Sequence, residues 1–173
     1  MTDLKPLVDM VMEMHRGRYM IDPDELRPFV LMFREGTPIG MAQIEMGDHD
    51  EKIAMVEAVK QVIHQTGADA TVLSTEAWMT MLPRDRDIEE LRSAIRSGDG
   101  MPGIIQPRLD PNRVETLICE ARAADGTHIV RITKILRGED GSFTGFEPFS
   151  EGDAGAADSI FDFFGRPQNV TVN

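Results

Sequence analysis

Apolar positions recur at spacings of three and four from the start of the chain. Leu4, Leu7, Val8, Val11 and Met14 fall on one face of a helix, Asp3, Asp9, Glu13 and Arg16 lie mostly off it, and Gly17 is expected to end it. After the Asp22-Pro23 turn the period changes. Phe29 to Arg34 and Ile39 to Met46 are β-compatible runs separated by Glu35-Gly36-Thr37-Pro38, which predicts a hairpin with a four-residue loop. Gly47 to Gly67 reads as the clearest helix, spanning 48–66. Asp48 is its expected cap, Glu51 reaches back to it, and Ile53, Val56, Val59, Lys60 and Ile63 form the inward side. Ala70 to Leu82 returns to strand character with Val72, Leu73, Trp78 and Met81. If the strands flanking that helix are neighbours in one sheet, they are joined by a right-handed crossover and run parallel.

The pattern after residue 113 predicts a second hairpin. Asp125-Gly126 is a two-residue turn signal, because both central positions tolerate positive φ. On that register Ala121 faces Val130, Glu120 faces Arg131, Cys119 faces Ile132 and Leu117 faces Lys134. Leu117, Cys119, Ala121, Val130, Ile132 and Leu136 then share the core face, and the Glu120 and Arg131 pair contributes about 0.2 to 1 kcal/mol. Ser142 to Phe146 follows as a further strand. Two stretches fit a sheet less simply. Residues 83–112 form a long excursion in which Ile88, Leu91 and Ile95 suggest a short helix, and such insertions are often binding loops. The stretch from Ser150 to Asn173 is acidic and gathers Ile160, Phe161, Phe163 and Phe164.

Composition narrows the class. At 173 residues the chain is long enough for one self-supporting core. Residues 1–149 are read as a single α+β domain and 150–173 as an acidic, Phe-containing C-terminal tail. A single cysteine, Cys119, excludes an intramolecular disulfide framework and, with no apolar run long enough to span a bilayer, points to a cytoplasmic setting without membrane contact. The net charge of −12 is spread along the chain. Even residues 83–111, the richest in arginine, hold five arginines against six acids, so no basic face for direct phosphate contact with nucleic acid is expected.

Asp48-His49-Asp50-Glu51 offers oxygen and imidazole ligands, but neighbouring residues on a helix diverge and capping accounts for the carboxylates, so no metal is expected. Cys119 and His128 lie about 13 Å apart on the expected register, too far for a dyad. Gly98-Asp99-Gly100-Met101-Pro102-Gly103 holds an aspartate and a proline and does not lead into a helix, which argues against a phosphate cradle and leaves a turn-rich loop. No cofactor is expected.

The remaining constellation is Glu76, Trp78, Asn112, Arg113 and Glu115. Glu76 and Trp78 share a strand face, as do Arg113 and Glu115, so neighbouring strands would bring them together. Two readings stay open: an Arg–Glu ion pair with Trp78 under the arginine stem, and a pocket for a small polar ligand. The strand Ser74-Thr75-Glu76-Ala77-Trp78 and the turn Asp110-Pro111-Asn112-Arg113-Val114-Glu115 resemble those of an uncharacterised group of bacterial and phage-associated small proteins. The resemblance covers about residues 50–137 and implies a bacterial or mobile-element origin, with no known activity attached.

The sequence therefore leads to these expectations: an α+β fold with a mixed, mainly antiparallel five- or six-stranded sheet, one long helix packed on a face and an N-terminal helix. The function expected is that of an acidic cytoplasmic binding or adaptor protein acting through protein–protein contacts, with a protein partner or itself as a homodimer. Ile160, Phe161, Phe163 and Phe164 are candidates for docking on a partner or back on the chain's own sheet. The alternative is a small hydrolase or small-ligand-binding enzyme with its pocket around Glu76, Trp78, Arg113 and Glu115, a glutamate serving as general base and the arginine holding an anion. Acidic mimicry of nucleic acid is a third option.

Overall fold

The computed structural model describes residues 2–22, 27–44, 49–79, 113–152 and 163–164. The Pro23 turn position, the Asp48 cap, the 83–112 excursion with Asn112, and Ile160 and Phe161 lie outside the described residues. Chain order is α1 (Leu4–Ile21), β1 (Phe29–Arg34), β2 (Thr37–Gln43), α2 (His49–Thr66), β3 (Ala70–Met79), β4 (Val114–Ala123), β5 (His128–Arg137), β6 (Phe143–Phe146) and β7 (Ser150–Gly152). The strands lie in the order β2-β1-β3-β4-β5-β6, and β7 pairs with β5 beside β6. The architecture is α+β, as the hydrophobic pattern predicts.

Asp3 caps α1 by accepting from the Lys5 amide at 3.1 Å. The helix does not stop at Gly17. It runs four residues further, to Ile21, where the Asp22 amide donates to the Arg18 carbonyl. A mid-helix glycine costs about 1 kcal/mol relative to alanine. Burying Tyr19 against Phe143 and Phe146, with ring centroids 4.9 and 5.4 Å away, offsets that cost. The inward stripe also differs from expectation. It continues through Met12, His15 and Tyr19, whereas Met14 is exposed.

β1 and β2 meet across a two-residue turn, Glu35-Gly36, tighter than the four-residue loop expected. Both turn residues have positive φ, 51° and 76°, the geometry that matches strand twist. β1 is buried on both faces, with Phe29, Val30, Met32 and Phe33 all inside. A strand apolar on both sides belongs in the middle of a sheet. That explains why β3 pairs antiparallel with β1 instead of parallel with β2. The connection through α2 passes over β1, and every strand pair among the described residues is antiparallel.

Two hydrophobic clusters cover opposite faces of the sheet. On one, Leu4, Leu7, Val8 and Val11 of α1 meet Phe29, Phe33, Val72, Leu117, Cys119 and Ala121. On the other, Val56, Val59 and Ile63 of α2 meet Val30, Met32, Ile44, Leu73 and Phe163, while Ile53 faces outward. Alternation along β1 and β3 sorts their residues between the two.

The β4–β5 hairpin is shifted by one residue from the expected register. Ala121 faces Ile129, Glu120 faces Val130 and Cys119 faces Arg131. The Ala123 amide donates to the Thr127 carbonyl at 2.9 Å, closing a three-residue loop, Ala124-Asp125-Gly126, with Gly126 at φ +89°. A glycine in this conformation serves a three-residue hairpin as well as a two-residue one. A slip of one residue transfers a strand's side chains to the other face. Arg131 and Thr133 therefore join Leu117, Cys119 and Ala121 beneath α1, while Val130 and Ile132 move to the far face. There Glu120 pairs with Arg122 and lies 3.0 Å from His128. The Glu120 and Arg131 pair does not form; Arg131 instead bonds Asp9 of α1 at 2.8 Å.

Candidate functional site

α1 lies along β3 in the same direction, and a series of polar contacts marks its course. Thr2 donates to Asp69 at 3.1 Å near the start of β3, His15 bonds Ser74 midway, and Tyr19 accepts from Arg137 at 2.9 Å near the end. The antiparallel ladder sets Trp78 opposite Glu115 and Glu76 opposite Leu117. Four of the five residues singled out from sequence thus meet on the α1 face, where the helix ends; the fifth, Asn112, lies outside the described residues.

Trp78 packs with Arg113, and the arginine on Glu115 comes from β5. Arg113 lies across the indole of Trp78, its guanidinium carbon 4.2 Å from the ring centroid. Glu115 takes Arg137 of β5, with contacts of 2.6 Å from Nε and 2.7 Å from Nη2. Arg137 also donates to the Tyr19 hydroxyl at 2.9 Å and to the Gly141 carbonyl at 3.3 Å, tying α1, β4, β5 and the turn before β6 together. Its fork onto Glu115 holds its pKa above the ordinary arginine value.

Glu76 is different in kind. Burial, reinforced by the Glu115 charge and opposed by Arg137, raises its pKa, and its Oε1 is buried without a hydrogen-bond partner. Burial likewise raises the Tyr19 phenol, with both carboxylates adding to the effect.

Sequence reasoning missed the interior part of this cluster. The Ser74 hydroxyl contacts His15 Nδ1 on one side and Cys119 Sγ, 3.0 Å away, on the other. Serine, histidine and cysteine in contact suggest nucleophilic chemistry, but all three are buried between α1 and the sheet. Burial pushes the Cys119 thiol up to about 12 and the His15 imidazole down to about 4, so the thiol is protonated and the imidazole neutral at pH 7. The arrangement is an internal polar network packed among apolar residues. One signal for it was available: His15 and Tyr19 continue the Val8 and Val11 stripe by four-residue steps. His128 lies on the opposite face from Cys119, which separates that pair by the sheet itself.

Of the tail candidates, Phe163 is only 2% exposed and packs in the α2 cluster, and Phe164 is partly buried against it. Among the described residues no three His, Cys, Asp or Glu side chains come together as metal ligands, and no helix is long and apolar enough to cross a membrane.

No curated protein and no solved structure matches this chain. A protein-family model does, over residues 4–159, which includes both helices, all seven strands and the Trp78 end of the sheet. On that match the chain belongs to the phage-associated family described as bacteriophage lambda protein ea47.

Proposed function

We propose that the protein is a binding or adaptor module that works through protein–protein contacts in the cytoplasm, with the Trp78 end of β3 and β4 as its contact surface. The observation that carries the reading is the state of Trp78. Trp78 is 49% exposed near the end of a long strand whose first five residues are buried, beside Arg113, Glu115 and Glu76. An exposed tryptophan among charged groups has the anatomy of an interface anchor, a large apolar face within a polar rim. The cluster of Ser74, His15 and Cys119 lies instead in a closed interior. The test is cross-linking capture from phage-infected cells with the full chain and with Trp78→Ala, followed by quantitative mass spectrometry. A protein enriched by the wild type and lost with a normally folded Trp78→Ala supports the reading; identical capture by both overturns it.

A second reading, the small hydrolase or small-ligand-binding enzyme, is favoured by the unpartnered carboxyl oxygen of Glu76 and its raised pKa. A carboxyl held above its ordinary range suits a general acid or base. A ligand that binds only the folded state raises its melting temperature. A metabolite that stabilises the wild type but not Glu76→Gln would favour this reading.

A further inference from the structure

We infer that α1 carries a dimer interface: its outer side packs, parallel and in register, against α1 of a second copy of this chain. The inference goes beyond the Trp78 surface and stands independently of it.

The first support is the order of the exposed apolar residues. Met10 and Met14 are exposed, and Ile21, the last residue of the helix, is 85% exposed. Together with Gly17 they fall at steps of four, three and four, the a and d spacing of a two-helix seam. A helix turns about 100° per residue, so all four lie on one stripe. The seven buried residues of α1 lie outside it. It also lies away from Asp9 and Arg16, whose contacts with Arg131 and Phe146 mark the side of α1 toward β5 and β6. Scattered exposed apolar side chains are ordinary, but a row at seam spacing is the pattern of a helix with a partner.

The second support is Gly17 itself. A glycine inside a helix is destabilising relative to alanine, and nothing inside the chain calls for one here. Its backbone is helical, and among the described residues nothing comes within 4 Å of where a Cβ would stand. Bare backbone in the middle of an apolar stripe lets another backbone approach closely from outside.

The third is charge, which also sets the direction. At a net charge of −12, two copies repel each other overall. α1 is where that repulsion is least, since Leu4–Ile21 holds Lys5, Arg16 and Arg18 against Asp9 and Glu13. Glu13 and Arg18 are exposed on either flank of the stripe. Glu13 takes Arg16 of its own helix through one oxygen at 2.8 Å and keeps most of its surface in solvent. Glu13 and Arg18 stand five residues apart, at a g position and the following e position, which meet across a parallel pair. Glu13 of each copy therefore faces Arg18 of the partner subunit. An antiparallel pair sets g against g and e against e, and leaves these two charges apart. Because α1 runs toward the Trp78 end of the sheet, a parallel pair points both of those ends the same way.

Sedimentation equilibrium of the full chain across the micromolar range tests the inference. The 19.3 kDa chain is expected to sediment at twice that mass. Gly17→Arg and, separately, Ile21→Lys place a charge in the seam and should each weaken dimerisation by about tenfold or more. Circular dichroism checks their fold, and Ile21 is exposed enough for its replacement to leave the fold intact. Glu13→Arg alone and Arg18→Glu alone set like charges opposite each other and should weaken the dimer, and the double swap should restore it. Gly17→Cys should cross-link to the same position of the second copy under mild oxidation, whereas Ile53→Cys, exposed on α2, should not; the native Cys119 is buried. A monomer throughout the range, or a dimer that survives either folded seam variant, overturns the inference. So does a dimer that is neither rescued by the double swap nor cross-linked through Gly17→Cys, because the pairing is then not parallel.

Discussion

Arg131 of β5 bonds Asp9 of α1 at 2.8 Å, joining residues 122 positions apart in the chain. Arg131 is buried and Asp9 partly so, which places a charged pair between the helix and the sheet it covers. The contact exists because β5 is set one residue away from the register that places Arg131 beside Glu120.

The two registers differ in a measurable coupling. A double-mutant cycle on Asp9 and Arg131 is expected to give an interaction energy of about 1 to 3 kcal/mol, as for a largely buried pair. The same cycle on Glu120 and Arg131 is expected to be near zero. Chemical denaturation of the single and double variants checks both, and coupling between Glu120 and Arg131 alone would show that β5 takes the other register.

His15 and Glu76 bias the pH dependence of stability in opposite directions. The His15 pKa falls from 6.5 to about 4 on folding, so the unfolded chain binds more protons between those values and stability drops as pH falls through the window. The gap corresponds to about 3 kcal/mol at most. Glu76 has a raised pKa, so its effect runs the other way: the folded state retains its proton longer, and stability is lost as pH rises from 4.5 through the raised value. His15→Gln should flatten the acid-side loss in melting temperature between pH 6.5 and pH 4, and Glu76→Gln should raise the melting temperature most at neutral pH. A matched series of thermal melts separates the two.

Arg137 holds four elements at one point. Arg137→Lys keeps the charge but loses the fork onto Glu115 and the contact with Tyr19, and is expected to cost about 1 kcal/mol because the arginine is partly exposed. It should also shift the Trp78 fluorescence, since Glu115 lies directly across the ladder from the indole. A denaturation curve indistinguishable from wild type would show that the fork contributes nothing.

Phe163 and Phe164 are adjacent but differ in burial. Phe163→Ala is expected to destabilise by about 3 kcal/mol through the cavity left in the α2 cluster, whereas Phe164→Ala should cost roughly 1 kcal/mol. Equal, small effects would show that residue 163 does not anchor the chain there.

Much of the fold is legible in particular residues. The stripe Leu4, Leu7, Val8, Val11 marks α1, and Glu76 with Trp78, and Arg113 with Glu115, share faces because side chains alternate along a strand. These are local properties, set by backbone period and turn chemistry within a few residues. The continuous apolar run Phe29 to Phe33 also carries the information that β1 is central, although the crossover rule alone suggests a parallel neighbour.

What the amino-acid sequence determined by itself is therefore the elements from α1 to β6, which residues of a strand share a face with one another, and the α+β class, all of which follow from local φ/ψ preference and hydrophobic period. The tertiary structure alone decided the antiparallel β1–β3 pairing, the one-residue register of β5, and the joining of Tyr19, Glu76, Glu115 and Arg137 into one cluster. The physical reason is that turns ending in Asp125-Gly126 allow more than one register at nearly equal local cost. The choice among them falls to burial and charge pairing between residues more than a hundred positions apart, such as Asp9 and Arg131.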